Sequence, residues 1–156
     1  RQLERERGRE VPIALSMTLT DLSGRNLSGH TVEAFWFAVR HTRPVAVGLN
    51  CSFGAEQLRP YVQALSKIGE TLLLAYPNAG LPNELGEYDE PPEETAAMLR
   101  EWAHGGHANI LGGCCGSTPE HIAAIAAAIR GAAPRKLPQV QPATRLAGLE
   151  PFTVPA

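Results

Sequence analysis

Four short apolar runs constrain this chain more than any other feature. They occupy residues 11–19, 45–49, 71–76 and 108–111, and each is followed by a stretch whose apolar residues recur at helical spacing. Val45-Ala46-Val47-Gly48-Leu49 and Thr71-Leu72-Leu73-Leu74-Ala75-Tyr76 carry no charged residue at all. A strand that is apolar on both sides of its pleat faces water on neither, which points to a parallel sheet covered by helices. Parallel neighbours need a crossover, and the helical stretches provide one. The order β-α-β-α-β-α-β-α therefore predicts an α/β fold of four parallel βα units. Four units amount to the C-terminal half of a (β/α)8 TIM-type barrel. The rival is a doubly wound open sheet, but no Gly-x-Gly-x-x-Gly follows the first run.

Helix boundaries are marked by their end residues. Residues 1–9 read as the end of a surface helix, with Gly8 near its C-terminus. Ser28 or Thr31 caps a helix reaching about His41, with Val32, Phe35, Trp36 and Val39 on one stripe. Residues 54–67 place Leu58, Tyr61, Val62 and Leu65 on one face, and Pro60 inside that stretch predicts an irregular turn or a bend. Pro92 opens a helix to about His104, and Glu93 and Glu94 suit the positive end of its dipole rather than acid–base chemistry. Thr118 caps, Pro119 starts and Gly131 stops the last helix. Beyond Ala132 proline and isolated polar residues take over, so residues 1–131 read as the domain and 132–156 as a linker toward a following domain. The chain opens on arginine in mid-helix and stops shortly after Gly148-Leu149-Glu150-Pro151, so we expect a fragment of a larger protein.

Composition excludes several partners. The formal net charge is −2 with no basic stripe, which argues against nucleic acid. No apolar run approaches twenty residues, so no membrane span is expected. The alternating charges of residues 1–7 lack the apolar core of a signal peptide, and three cysteines cannot pair completely. Both observations suit a reducing cytoplasm.

Ligands of parallel α/β sheets gather beyond the C-terminal ends of the strands. Thr18 to Asp21, Asn50-Cys51, Pro77-Asn78 and Cys114-Cys115 all fall there. Gly112, Gly113 and Gly116 around the vicinal pair give the backbone freedom to turn both thiols to one point. A lone cysteine such as Cys51 is ordinarily a small buried hydrophobe. Three at one sheet edge suggest a metal instead. Three thiolates around Zn2+ leave a fourth tetrahedral position open, as in a catalytic site, and soft sulfur favours zinc over magnesium or calcium. A redox module is disfavoured because no Cys-x-x-Cys is present. His30, His41, His104 and His107 read as solvated and His121 as a first-turn residue, since none has the spacing of a metal pair.

Gly48-Leu49-Asn50-Cys51, Pro77-Asn78-Ala79-Gly80-Leu81-Pro82-Asn83, Gly86-Glu87-Tyr88-Asp89 and Gly112-Gly113-Cys114-Cys115-Gly116 resemble, in that order, the homocysteine S-methyltransferase family. Within it the nearest likeness is to the homocysteine-binding module of cobalamin-dependent methionine synthases, and Gly148-Leu149-Glu150-Pro151 resembles the link to their next barrel. The resemblance implies that Cys51, Cys114 and Cys115 bind Zn2+ and that the homocysteine sulfur takes the open position. It implies that the side-chain oxygen of Asn78 fills that position when substrate is absent. It also implies transfer of a methyl group to the zinc-bound thiolate to give methionine, with cobalamin on another domain or chain; relatives use a sulfonium or betaine donor. The family's opening glycine-rich motif and an earlier acidic residue are missing, so the expected partner is an N-terminal half barrel. The alternative is a non-catalytic split or relic half barrel that keeps zinc as a staple.

Overall fold

The computed structural model describes residues 2–155. The elements in order are α1 (Gln2–Arg7), β1 (Ala14–Met17), α2 (Val32–Val39), β2 (Ala46–Asn50), α3 (Ala55–Ile68), β3 (Leu72–Tyr76), α4 (Pro92–His104), β4 (Ile110–Leu111), α5 (Pro119–Ala128), β5 (Ala143–Ala147) and β6 (Pro151–Pro155). A 3-10 turn, Arg40–Thr42, extends α2. β1 to β4 form one parallel sheet in the order 1-2-3-4. The four predicted strands and their crossover helices are thus all present, and α4 begins and ends at the residues the sequence marks.

Every helix after α1 lies on the same side of the sheet. Met17, Leu19, Val47, Leu49, Leu73 and Ala75 pack with Trp36 of α2, Leu58, Val62 and Leu65 of α3, Leu99 and Trp102 of α4 and Ile125 of α5. A right-handed crossover between neighbouring strands always falls on one side, and an order that never reverses never changes sides. That excludes double winding within these four strands. The expectation of strands buried on both faces holds along β2 and most of β3, where Ala46 and Leu74 are buried on one side and Val47, Leu49, Leu73 and Ala75 on the other, and it fails elsewhere on the sheet. The alternate residues Ala14, Ser16, Leu72 and Ile110 form a face without helices, where Leu72 is 43% and Ile110 37% exposed.

Capping follows the sequence closely. The Thr31 side chain accepts the Ala34 N–H at 3.2 Å to start α2. α3 continues unbroken through Pro60. At the start of α5, Thr118 and His121 form a capping box, with the His121 ring where a glutamate or glutamine usually stands. His121 is thus the first-turn residue expected, and it is buried there.

The segment whose composition reads as a linker is ordered against the domain. Buried Arg135 donates to the carbonyls of Thr71 at 3.0 Å and of Ser66 and Gly69 at 2.7 Å, closing the C-terminal end of α3. β5 and β6 then pair antiparallel. Their hairpin rests on α2: Thr31 N–H donates to the Leu149 carbonyl at 3.1 Å, Arg25 pairs with Glu150, and Arg145 lies 5.8 Å from the centroid of the Phe37 ring. Among the described residues no helix is long and apolar enough to cross a membrane.

Candidate metal centre

Three strand ends build the site. Past β2, Cys51 donates its N–H to the Tyr76 carbonyl at 2.9 Å, which keeps it beside β3. Cys51 (φ 63°) and Ser52 (φ 68°) are both left-handed, a conformation that costs on the order of 1 kcal/mol or more for a side chain with Cβ. The Ser52 hydroxyl donates to the Leu19 carbonyl and holds this turn shut. Past β3, buried Asn78 donates its N–H to the Phe53 carbonyl at 2.9 Å. Past β4, Cys114 N–H donates to the Pro77 carbonyl at 2.8 Å, and Ala79 N–H donates to the Cys115 carbonyl at 2.9 Å.

Of the three glycines around the vicinal pair, only Gly116 has positive φ, at +78°. Gly113 is needed for room, since a Cβ there would stand 2.1 Å from the Ser117 hydroxyl oxygen. The turn that aims Cys51 is made without any glycine.

The result is a cluster of three free thiols whose sulfurs all lie within 4.8 Å of one another. Cys51 and Cys115 Sγ are 3.3 Å apart, although 64 positions separate them in sequence. Sulfurs bound to one tetrahedral zinc at ~2.3 Å stand about 3.8 Å apart, so one ion can reach all three with small adjustments. No carboxylate or imidazole joins the group among the described residues. An all-sulfur donor set suits a soft metal such as zinc.

Asn78 enters the site through its side chain, whose Oδ1 accepts the Cys115 N–H at 3.2 Å. Its first duty is thus to fix the backbone of a cysteine. Beside Cys51, Asn50 Oδ1 accepts hydrogen bonds from Ser16 at 2.5 Å and Thr18 at 3.4 Å, a polar corner on the face without helices. Sequence reasoning attached no role to Tyr88, which packs over Gly116. Its only signal was membership of the Gly86-Glu87-Tyr88-Asp89 string.

Crowding sets the thiols apart electrically. The Cys115 thiol is pushed up to about 11, first by its hydrogen bond to Cys51 and then by desolvation and the charge of its neighbours. For Cys51, burial opposes ionisation, but hydrogen bonds from Cys115, the Ser52 backbone and Cys114 together outweigh it and the net shift is downward. In the metal-free protein near pH 8, iodoacetamide should therefore modify Cys51 before Cys115, although Cys115 is the more exposed. Peptide mass mapping over time reads the order.

Residues 1–129 match the family model described as homocysteine S-methyltransferase. With that match running over both the sheet that carries the three thiols and the helices that support it, the chain belongs to the homocysteine S-methyltransferase family.

Proposed function

We propose that this chain is the zinc-holding, homocysteine-binding part of a methyltransferase of the methionine synthase type. The observation that carries the reading is the convergence of Cys51, Cys114 and Cys115 at the C-terminal edge of a parallel sheet in a chain of this family. Zn2+ held by the three sulfurs supplies the acidity that keeps a fourth sulfur as thiolate at neutral pH. The chain's own part is to present three sulfurs and leave the fourth side to substrate. A homocysteine thiol would approach from that side and give its proton to water. Its sulfur lone pair would form the new S–CH3 bond as the methyl's bond to the donor breaks, with that electron pair leaving on the donor. The product, methionine, is a neutral thioether and a poorer ligand than a thiolate, which favours release. Asn78 Oδ1 has a second lone pair beyond the one engaged by Cys115, and we assign it the fourth position in the absence of substrate. An amide oxygen is readily displaced by sulfur at such a metal.

The face without helices supports the half-barrel reading. Four further βα units would cover Leu72 and Ile110 and close the sheet on itself, and full activity belongs to that closed assembly. The methyl donor we favour is methylcobalamin on a separate module, on the strength of Gly148-Leu149-Glu150-Pro151. Three reduced thiols in contact suit the cytoplasm.

X-ray absorption at the zinc edge tests the reading directly. Millimolar homocysteine should raise the zinc shell from three sulfurs to four, with loss of one oxygen. A shell that keeps three sulfurs would favour the non-catalytic staple and overturn the proposal.

A further inference from the structure

Two sulfurs of the cluster stand nearer to each other than a shared metal requires. Cys51 and Cys115 Sγ are 3.3 Å apart, against about 3.8 Å on a common tetrahedral zinc. Both are free thiols, Cys115 exposed and Cys51 half-buried, so small solutes reach the pair. Closing the gap to a disulfide of ~2.05 Å takes about 1.2 Å of sulfur movement, which rotations of two side chains can share. The backbones beneath are held by one segment, the end of β3 and its exit. Cys51 N–H donates to the Tyr76 carbonyl at 2.9 Å. Cys115 is fixed on both sides, its N–H on Asn78 Oδ1 at 3.2 Å and its carbonyl on the Ala79 N–H at 2.9 Å.

The neighbour in sequence is the poorer partner. A bridge between Cys114 and Cys115 would close an eight-membered ring over a single peptide unit, whose planarity resists it. We propose that Cys51 and Cys115 are a modification site for hydroperoxides, forming a reversible disulfide that expels the metal and closes the centre to thiol substrates. No Cys-x-x-Cys is needed, since the fold supplies across 64 positions the sulfur contact that such a motif supplies locally. Cys114, within 4.8 Å of both, stays behind as a thiol.

The chemistry balances with one peroxide. One sulfur attacks a peroxide oxygen: an S–O bond forms, the O–O bond breaks, and the hydroxide released takes up the thiol proton as water. The other sulfur then attacks the sulfenic acid so formed. The S–S bond forms as the S–O bond breaks, and hydroxide leaves with the second thiol proton as a second water. Two electrons have passed from the sulfur pair to the peroxide. Thiolates, not neutral disulfide sulfurs, are the ligands of a dication, so a bridged chain keeps only Cys114 of its three. A thiol or phosphine reductant reopens the bridge. The bond stands on the sulfur contact alone, whereas the loss of metal rests on the zinc reading above, and the test has an arm for each.

In the first arm the full metal-free chain is treated with hydrogen peroxide. Remaining thiols are blocked with N-ethylmaleimide, and those then released by reduction are labelled with iodoacetamide. Fragment mass spectra should place iodoacetamide on Cys51 and Cys115 and maleimide on Cys114, at a rate independent of chain concentration. Cys114→Ala should form the same bridge. A bridge to Cys114 in the wild type, or sulfinic acids with no bridge, would overturn the proposal. In the second arm the zinc-loaded chain is titrated with peroxide beside a chromophoric zinc indicator. One zinc should appear for every two thiols lost, the oxidised chain should bind zinc roughly a hundredfold more weakly or worse, and reduction should restore uptake. Zinc retained by a bridged chain would overturn the switch. A chain that forms the bridge but never takes up zinc would overturn the metal reading and leave the disulfide standing.

Discussion

Cys51→Ala should lose zinc while keeping the fold. A structural zinc site holds its ion by ~10–16 kcal/mol shared among its ligands, so one thiolate is worth about 3 kcal/mol. That corresponds to roughly a hundredfold in affinity. Alanine carries the same Cβ as cysteine, so the left-handed turn at φ 63° is no worse for the change. The pair Cys114-Cys115 stays in place through the Pro77 and Ala79 backbone bonds, and what remains is a two-sulfur site. Competition against a chromophoric chelator measures the loss, with urea unfolding of the metal-free proteins as the control for fold. Retention of tight stoichiometric zinc by the variant would mean that the 64-residue separation between Cys51 and Cys115 is not bridged by metal.

Gly48→Ala is expected to give the largest loss of stability. Gly48 lies in the middle of β2, paired with Ser16 on one side and Leu74 on the other. A Cβ there would stand 1.8 Å from the Leu74 carbonyl oxygen and 2.8 Å from Leu74 Cδ1. A side chain could swing away, but a carbonyl held in a parallel ladder cannot move without taking its strand along. Overpacking of this kind costs about 3 kcal/mol. The urea midpoint should fall accordingly. Zinc affinity should fall with it, because β2 delivers Cys51 and β3 delivers Asn78, and separating the two strands separates those groups. An unchanged midpoint would mean that β2 and β3 do not pair in this register.

What the sequence could and could not disclose divides along physical lines. The strands and helices of the sheet were legible because their signals are local: apolar runs for the strands, and Pro92, Thr118 and Pro119 at helix starts, where proline and a hydroxyl have few other uses. The hairpin at 143–155 was not legible, since β6 is exposed along its whole length and so has no inside-outside alternation to read. The open face was hidden for a different reason. Leu72 and Ile110 are as apolar as core residues, and only the order of strands shows that all the crossover helices lie on the other side of the sheet from them. The cysteines could be assigned to one edge from sequence, but the means of aiming them could not. Glycines suggested where the chain must turn, yet Cys51 and Ser52 themselves take the left-handed conformation. The first-turn position of His121 was legible, but its part in the capping box was not, because the usual partner there is a glutamate or glutamine.

The distance along the chain between Cys51 and its partners has a thermodynamic consequence. An ion shared by Cys51, Cys114 and Cys115 would tie a loop of more than sixty residues, and an unfolded chain so tied has far fewer shapes to explore. Whatever the ion does for chemistry, it acts on the denatured ensemble as a long-range tether, and the melting temperature should climb with free zinc as the logarithm of its concentration.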